Sequence, residues 1–271
     1  MKWPERNLNV MNKIIYNYHT HTKRCGHACG EDEEYVKSAI KLGIKRLGFS
    51  DHIILPEGFS QPTIRGNFDQ LDDYLNSINY LKNKYKDQIE ILIGFEAEYF
   101  PELVDYYKDL LNNKIDYLIM GQHCRMENSK FQWYFSKDST PKDIHIYVDE
   151  VLAGLKTGMF KYLAHPDLFM LSFDGWDETM EFESRRLLKG CEELNIPVEI
   201  NICGMRRKYY DGFNHSYPNH HFYDLIKDYN LKVVLGLDAH NPEHINQEAV
   251  DMGFSFAKRH GLTIDEDFNL L

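Results

Sequence analysis

Apolar residues fall into seven short runs, each followed by a polar loop and then a longer segment with helical spacing. The runs cover residues 14–19, 46–50, 89–95, 117–121, 162–165, 198–202 and 233–237, and their Val, Ile, Leu and aromatic content predicts buried strands. The longer segments predict helices over 31–42, 70–85, 101–112, 141–157, 179–194, 220–229 and 246–259. In the first of these Tyr35, Ala39, Ile40 and Leu42 recur at a helical period, as do Leu71, Leu75, Ile78 and Leu81 in the second. Strands alternating with helices imply parallel pairing and right-handed crossovers. Seven such units predict an α/β fold closed, or nearly closed, into a barrel; an open doubly wound sheet is the alternative. Either places function at the C-terminal ends of the strands.

The chain has 271 residues, 43% of them apolar, enough for a full core. We find no repeat, low-complexity tract or long linker. A net charge of -11 argues against nucleic-acid or anionic-membrane partners, because phosphate backbones attract Lys and Arg. A small phosphorylated substrate stays compatible, since a few local cations outweigh the global field. Residues 1–7 are polar and lack the apolar core of a signal peptide. Five cysteines without paired spacing suggest no disulfide framework and a reduced, cytoplasmic protein. Cys25 and Cys29 read as free thiols.

Six of the seven predicted strands deliver a His, Asp or Glu at the end where a barrel keeps its chemistry. Strand one runs into Tyr18-His19-Thr20-His21, and residues two apart in a strand share a face, so His19 and His21 can bind one ion together. His27 follows in the loop. The other ends read Ser50-Asp51-His52, Glu96-Ala97-Glu98, Gly121-Gln122-His123, Ala164-His165-Pro166 and Gly236-Leu237-Asp238-Ala239-His240. A single histidine there is ordinarily structural, and a single carboxylate ordinarily caps a helix. Six coincidences at the same end point to metal. Imidazole and carboxylate donors suit Zn, Fe or Mn, and the candidates exceed what one tetrahedral ion needs.

As a set these motifs resemble the PHP (polymerase and histidinol phosphatase) family, most closely its histidinol-phosphate phosphatase branch: YHTHT at 18–22, His27, SDH at 50–52, Glu96, GQH at 121–123, AHPD at 164–167 and GLDAH at 236–240. The resemblance implies one PHP-type domain over residues 1–271, folded as a distorted (β/α)7 barrel with three divalent ions. By similarity, His19, His21, Glu96 and Asp238 hold one ion. Glu96 bridges to a second, held with His123 and His165, and His27, His52 and His240 hold a third. The implied activity is hydrolysis of histidinol phosphate, with a metal-bound hydroxide as nucleophile and Asp238 beside it as a proton acceptor and donor. Competing readings are another PHP phosphoesterase, acting on nucleotides, oligonucleotides or phosphotyrosine, and a noncatalytic barrel stapled by metal.

Substrate contacts are less legible. Arg206 and Arg207 follow strand six in a stretch read as a loop, and arginine forks match phosphate geometry. Arg65 is a further phosphate candidate. Glu98 shares the strand face of Glu96 and is a candidate for the ammonium or imidazole of the substrate, although support of a neighbouring ligand, or a helix-side carboxylate, is the favoured reading. His145, His215, His220, His221, His244 and His260 read as surface residues, and the aromatic stretch 131–135 as core rather than lid. Oligomeric state is not encoded in any feature of the sequence we can read.

Overall fold

The computed structural model describes residues 12–59, 61, 64–127, 130–136, 139–173, 175–209 and 217–271. Residues 1–7 and His215, mentioned above, lie outside them. The apolar runs form a sheet of β1 (Tyr16–Asn17), β2 (Arg46–His52), β3 (Glu90–Ala97), β4 (Tyr117–Met120), β7 (Phe160–Leu163), β8 (Val198–Asn201) and β9 (Val233–Gly236), in that spatial order. Every neighbouring pair is parallel. Between β4 and β7 lies an antiparallel hairpin of β5 (Cys124–Glu127) and β6 (Lys130–Trp133) that periodicity did not predict. The helices are α1 (Asp32–Leu42), α2 (Leu71–Lys84), α3 (Val104–Asn113), α4 (Pro141–Leu155), α5 (Glu178–Glu193), α6 (Ile202–Tyr209), α7 (His220–Ile226) and α8 (Gln247–Arg259). Among the described residues no helix is long and apolar enough to cross a membrane.

The sheet curls into a nearly closed barrel, and its seam lies between β1 and β9. Toward the C-terminal ends the seam is bridged by backbone, with His21 N–H donating to Ala239 O at 2.9 Å and Ala239 N–H to His19 O at 3.2 Å. Below that, side chains replace the ladder. Leu237 N–H donates to Asn17 Oδ1 at 3.0 Å, and Leu235 N–H to the Tyr16 hydroxyl at 3.1 Å. Lower still, Ile264 pairs with Val233, and Ile15 N–H reaches Glu266 O. This substitution of side chains for backbone is why β1 spans two residues where the sequence predicts six (14–19).

Strand β4 carries a bulky residue into the core, and its neighbours make room. The Tyr117 hydroxyl donates to Tyr18 O at 2.8 Å, with Phe49 O at 3.1 Å. A Cβ at Gly48 would lie 2.2 Å from that hydroxyl, and one at Gly94 2.5 Å from the ring. Gly94→Ala should therefore destabilise the fold by about 1–3 kcal/mol through overpacking. Urea denaturation checks this, and an unchanged midpoint would contradict the tight fit.

Candidate metal centre

The parallel register brings the strand ends to one rim, and the predicted donors meet there around Glu96. The carboxylate is buried. Its Oε1 lies 2.6 Å from His165 Nε2 and 3.3 Å from His123 Nε2. Its Oε2 lies 3.1 Å from His52 Nδ1, 3.4 Å from His21 Nε2 and 3.5 Å from His19 Nε2. Asp238 Oδ1 faces the same space, 3.1 Å from His21 Nε2, 3.2 Å from His240 Nδ1 and 3.6 Å from His19 Nε2. The Nε2 atoms of His27 and His240 approach to 3.0 Å. His27, His52 and His240 form one group whose ligand atoms lie within 4.8 Å of one another; His19, His21 and Asp238 form another, and His19, Glu96 and His165 a third. All nine sequence-predicted donors thus converge.

The donor set fits cations. His19 Nε2, both ring nitrogens of His21, His52 Nδ1 and Asp238 Oδ1 are buried without a hydrogen-bond partner, although other donors crowd within a few ångströms. Buried polar atoms ordinarily find partners, and polar atoms crowded together without aligned hydrogen bonds are what ion coordination satisfies. Two of the nine, His165 (φ 28) and Asp238 (φ 47), hold left-handed backbone conformations that cost non-glycine residues about 1–3 kcal/mol, a strain characteristic of functional sites.

The surrounding residues explain why the motifs contain glycine. A Cβ at Gly121 would sit 2.0 Å from Glu96 Oε1, and one at Gly236 1.6 Å from Glu199 Oε1. Glu199 is a site residue that the motif reading missed. Its Oε1 pairs with His19 Nδ1 at 2.8 Å, and its Oε2 accepts from His165 N–H and from Asn201 Nδ2. Asn201 also donates to Asp238 Oδ2 at 3.0 Å. Asp51, hydrogen-bonded by Thr22, places its Oδ1 3.6 Å from His21 Nδ1. The available signal was a polar residue inside a run buried on both faces, as in Val198-Glu199-Ile200.

Four expectations need correction. Arg65 is buried, and its guanidinium donates to Ile53 O, Gln61 Oε1 and both oxygens of Glu98. These bonds use all five of its N–H groups, so none is left for phosphate. Glu98, fully buried, engages that guanidinium and His123 Nδ1 at 3.0 Å, the supporting position favoured above, and its substrate candidacy finds no backing in these contacts. The stretch bearing Arg206 and Arg207 is helix α6, not a loop; Asn201 Oδ1 accepts Gly204 N–H in its first turn. Among the histidines read as surface residues, His260 is buried between Asp224 and His220, and His244 Nδ1 accepts from His240 N–H at 3.2 Å. Of the aromatic stretch, Tyr134 is buried, while Phe131, Trp133 and Phe135 are half-buried on or beside the hairpin. The Phe135 ring stands edge-on to His123 at 6.5 Å.

Charge balance follows from burial. Desolvation opposes ionisation of Glu96, but His123, His52, His19 and His165 outweigh it and hold the carboxyl well below its usual range. Burial likewise opposes protonation of His21 and His123, yet Asp238 and Asp51 raise the first to about 9, and Glu96 and Glu98 raise the second to about 9. Burial, with His240 and His21 adding to it, lowers His27 to about 4, and burial drives His52 well down.

This rim of imidazoles and carboxylates, carried on seven parallel strands, is the arrangement of a known class: the chain belongs to the PHP domain family, whose model matches residues 17–202. It is 25% identical over 244 residues to the probable histidinol-phosphatase of Deinococcus radiodurans, covering 88% of each chain. It is 24% identical over 266 residues to the histidinol-phosphatase of Bacillus subtilis, covering 88% of this chain and 95% of that one. A crystal structure of a histidinol phosphate phosphatase from Lactococcus lactis, complexed with zinc, L-histidinol and phosphate, shares the fold, with a TM-score of 0.69 at 16% identity over 93% of this chain and 95% of that one.

Two measurements follow. Glu199→Gln should lower zinc affinity roughly 10–100-fold by loosening His19, as loss of a ligand's supporting carboxylate does elsewhere; competition with a chromogenic chelator reads it, and unchanged affinity would count against that support. Zinc binding near pH 7 should release protons, because His21 and His123 are protonated there without metal and must lose the proton to ligate. Affinity should then rise with pH up to about 9, by roughly tenfold per unit for each proton displaced. Calorimetry in buffers of different ionisation enthalpy tests the sign.

Proposed function

We propose that this protein is a metal-dependent phosphomonoesterase that hydrolyses histidinol phosphate to histidinol and inorganic phosphate. The observation that carries the reading is the cluster of buried, unpartnered ring nitrogens and carboxylate oxygens around Glu96 and Asp238. The names of its relatives direct the choice of ester.

In this reading His19, His21, Glu96 and Asp238 hold one divalent ion, Glu96 with His123 and His165 a second, and His27, His52 and His240 a third. Zn, Fe and Mn all suit these donors. Such ions supply an activated water and neutralise phosphate oxygens. Arg206 binds the phosphate: its Nη1 is buried without a hydrogen-bond partner on the helix that follows β8. Arg207 is exposed on the same helix and takes the lesser part. Asp238, with Oδ2 fixed by Asn201 and Oδ1 facing the cluster, receives the proton of the attacking water at Oδ1 and returns it to the leaving oxygen. The net charge of -11 favours a compact ester over a polyanion. The functional unit is one PHP-type domain running beyond the family match at residue 202, since Asp238 and His240 complete the donor set.

Phosphate release should be measured with Zn, Mn or Fe on histidinol phosphate, nucleotides, oligonucleotides and phosphotyrosine. Histidinol phosphate should be the best substrate, and chelation should abolish its turnover. A preferred oligonucleotide would refute the choice of ester, and no release under any metal would favour a stapled barrel. At full metal occupancy Asp238→Asn should lose roughly 10²–10⁴-fold in kcat; near-normal turnover rules out the proton role.

A further inference from the structure

One buried guanidinium sits where three donor-bearing strands end. Arg65 comes from the segment between β2 and α2. Its Nη1 donates to Ile53 O at 3.1 Å, the residue immediately after His52. Its Nη1 and Nη2 grip Glu98 Oε2 and Oε1 at 3.1 and 2.9 Å, two residues beyond Glu96. Glu98 Oε1 in turn accepts His123 Nδ1 at 3.0 Å, just past β4. Gln61 Oε1 takes the remaining N–H groups, at 2.9 and 3.3 Å. Arg65 is 2% exposed and Glu98 0%.

We infer that Arg65 is a positioning residue for the metal centre: by fixing the exits of β2, β3 and β4 against one another, it sets where His52, Glu96 and His123 stand. The inference rests on the metal reading above. A planar fork meeting a carboxylate in two parallel bonds fixes orientation as well as distance, which an ammonium cannot do. The carboxylate so fixed dictates which ring nitrogen of His123 carries hydrogen, leaving Nε2 to face Glu96 and the cluster. Arg65 therefore acts on the centre through Glu98 and Ile53 without touching substrate.

The test compares wild type, Arg65→Met, Glu98→Gln and the double variant by zinc competition and by the visible spectrum of the cobalt-loaded protein, alongside kcat and KM. Both single variants should lose roughly 10–100-fold in metal affinity. Both should change the cobalt bands and lower kcat at saturating metal with little change in KM. Because the two residues act in series, the double variant should fall well short of the sum of the single effects. Unchanged affinity and bands in Arg65→Met with a raised KM would overturn the inference and make Arg65 a substrate contact; additive losses would also overturn it. Should Arg65→Met not fold, the nearly isosteric Glu98→Gln decides alone by the same readouts. Wild type that binds no metal would sink the metal reading itself, a separate result.

Discussion

A carboxylate sealed from water among five imidazoles is the constraint around which this molecule is organised. Glu96 is ionised although buried, and an ionised buried carboxylate is tolerated only where positive charge or aligned donors surround it. The histidines supply that surrounding, from the exits of β1, β2, β4 and β7. The imidazoles of the cluster must then be aimed, and the aiming recruits further polar groups: Glu199 behind His19, Glu98 behind His123, Asp51 near His21, and backbone carbonyls behind His27 and His240. Glycines 121 and 236 follow, because the carboxylates need the volume that a Cβ would take.

Much of this was legible in the sequence, and the parts that were not share a reason. Parallel strands buried on both faces read as apolar runs, so the seven runs and the donor-bearing motifs at their ends stand out in the sequence. Element limits were less secure where tertiary contacts decide them. β1 reads as six residues because its apolar pattern continues, yet the seam leaves a regular ladder for only two. α6 begins directly from β8, with a glycine in its first turn and two adjacent arginines, and so resembles a loop. The hairpin of β5 and β6 alternates weakly, and its aromatic residues divide between core and rim.

Among the polar residues, a donor was legible where it closed a motif and illegible where it stood inside a strand. Glu199 occupies a position the pattern assigns to core, while Asp51 stands within the SDH motif but is overshadowed there by His52; their pairing with His19 and His21 reveals their use. Arg65 shows the converse. Its charge suggested phosphate, but saturation of every N–H group by protein acceptors gives it an internal task. An arginine's availability depends on how many of its donors are already engaged, a quantity that residue identity does not carry.

The seam between β1 and β9 carries a consequence for the order in which the molecule is made. His19 and His21 lie on one side of it and Asp238 and His240 on the other, and the hydrogen bond from Leu237 to Asn17 joins residues 220 positions apart. During synthesis the first histidines emerge long before the residues that complete their site. The nascent chain therefore exposes a bare His-x-His pair for most of its elongation and gathers the full donor set only when the last strand docks. Assembly of the centre thereby reports that the barrel has shut, and an ion bound across the seam would favour the closed form over one in which the first strand has come away.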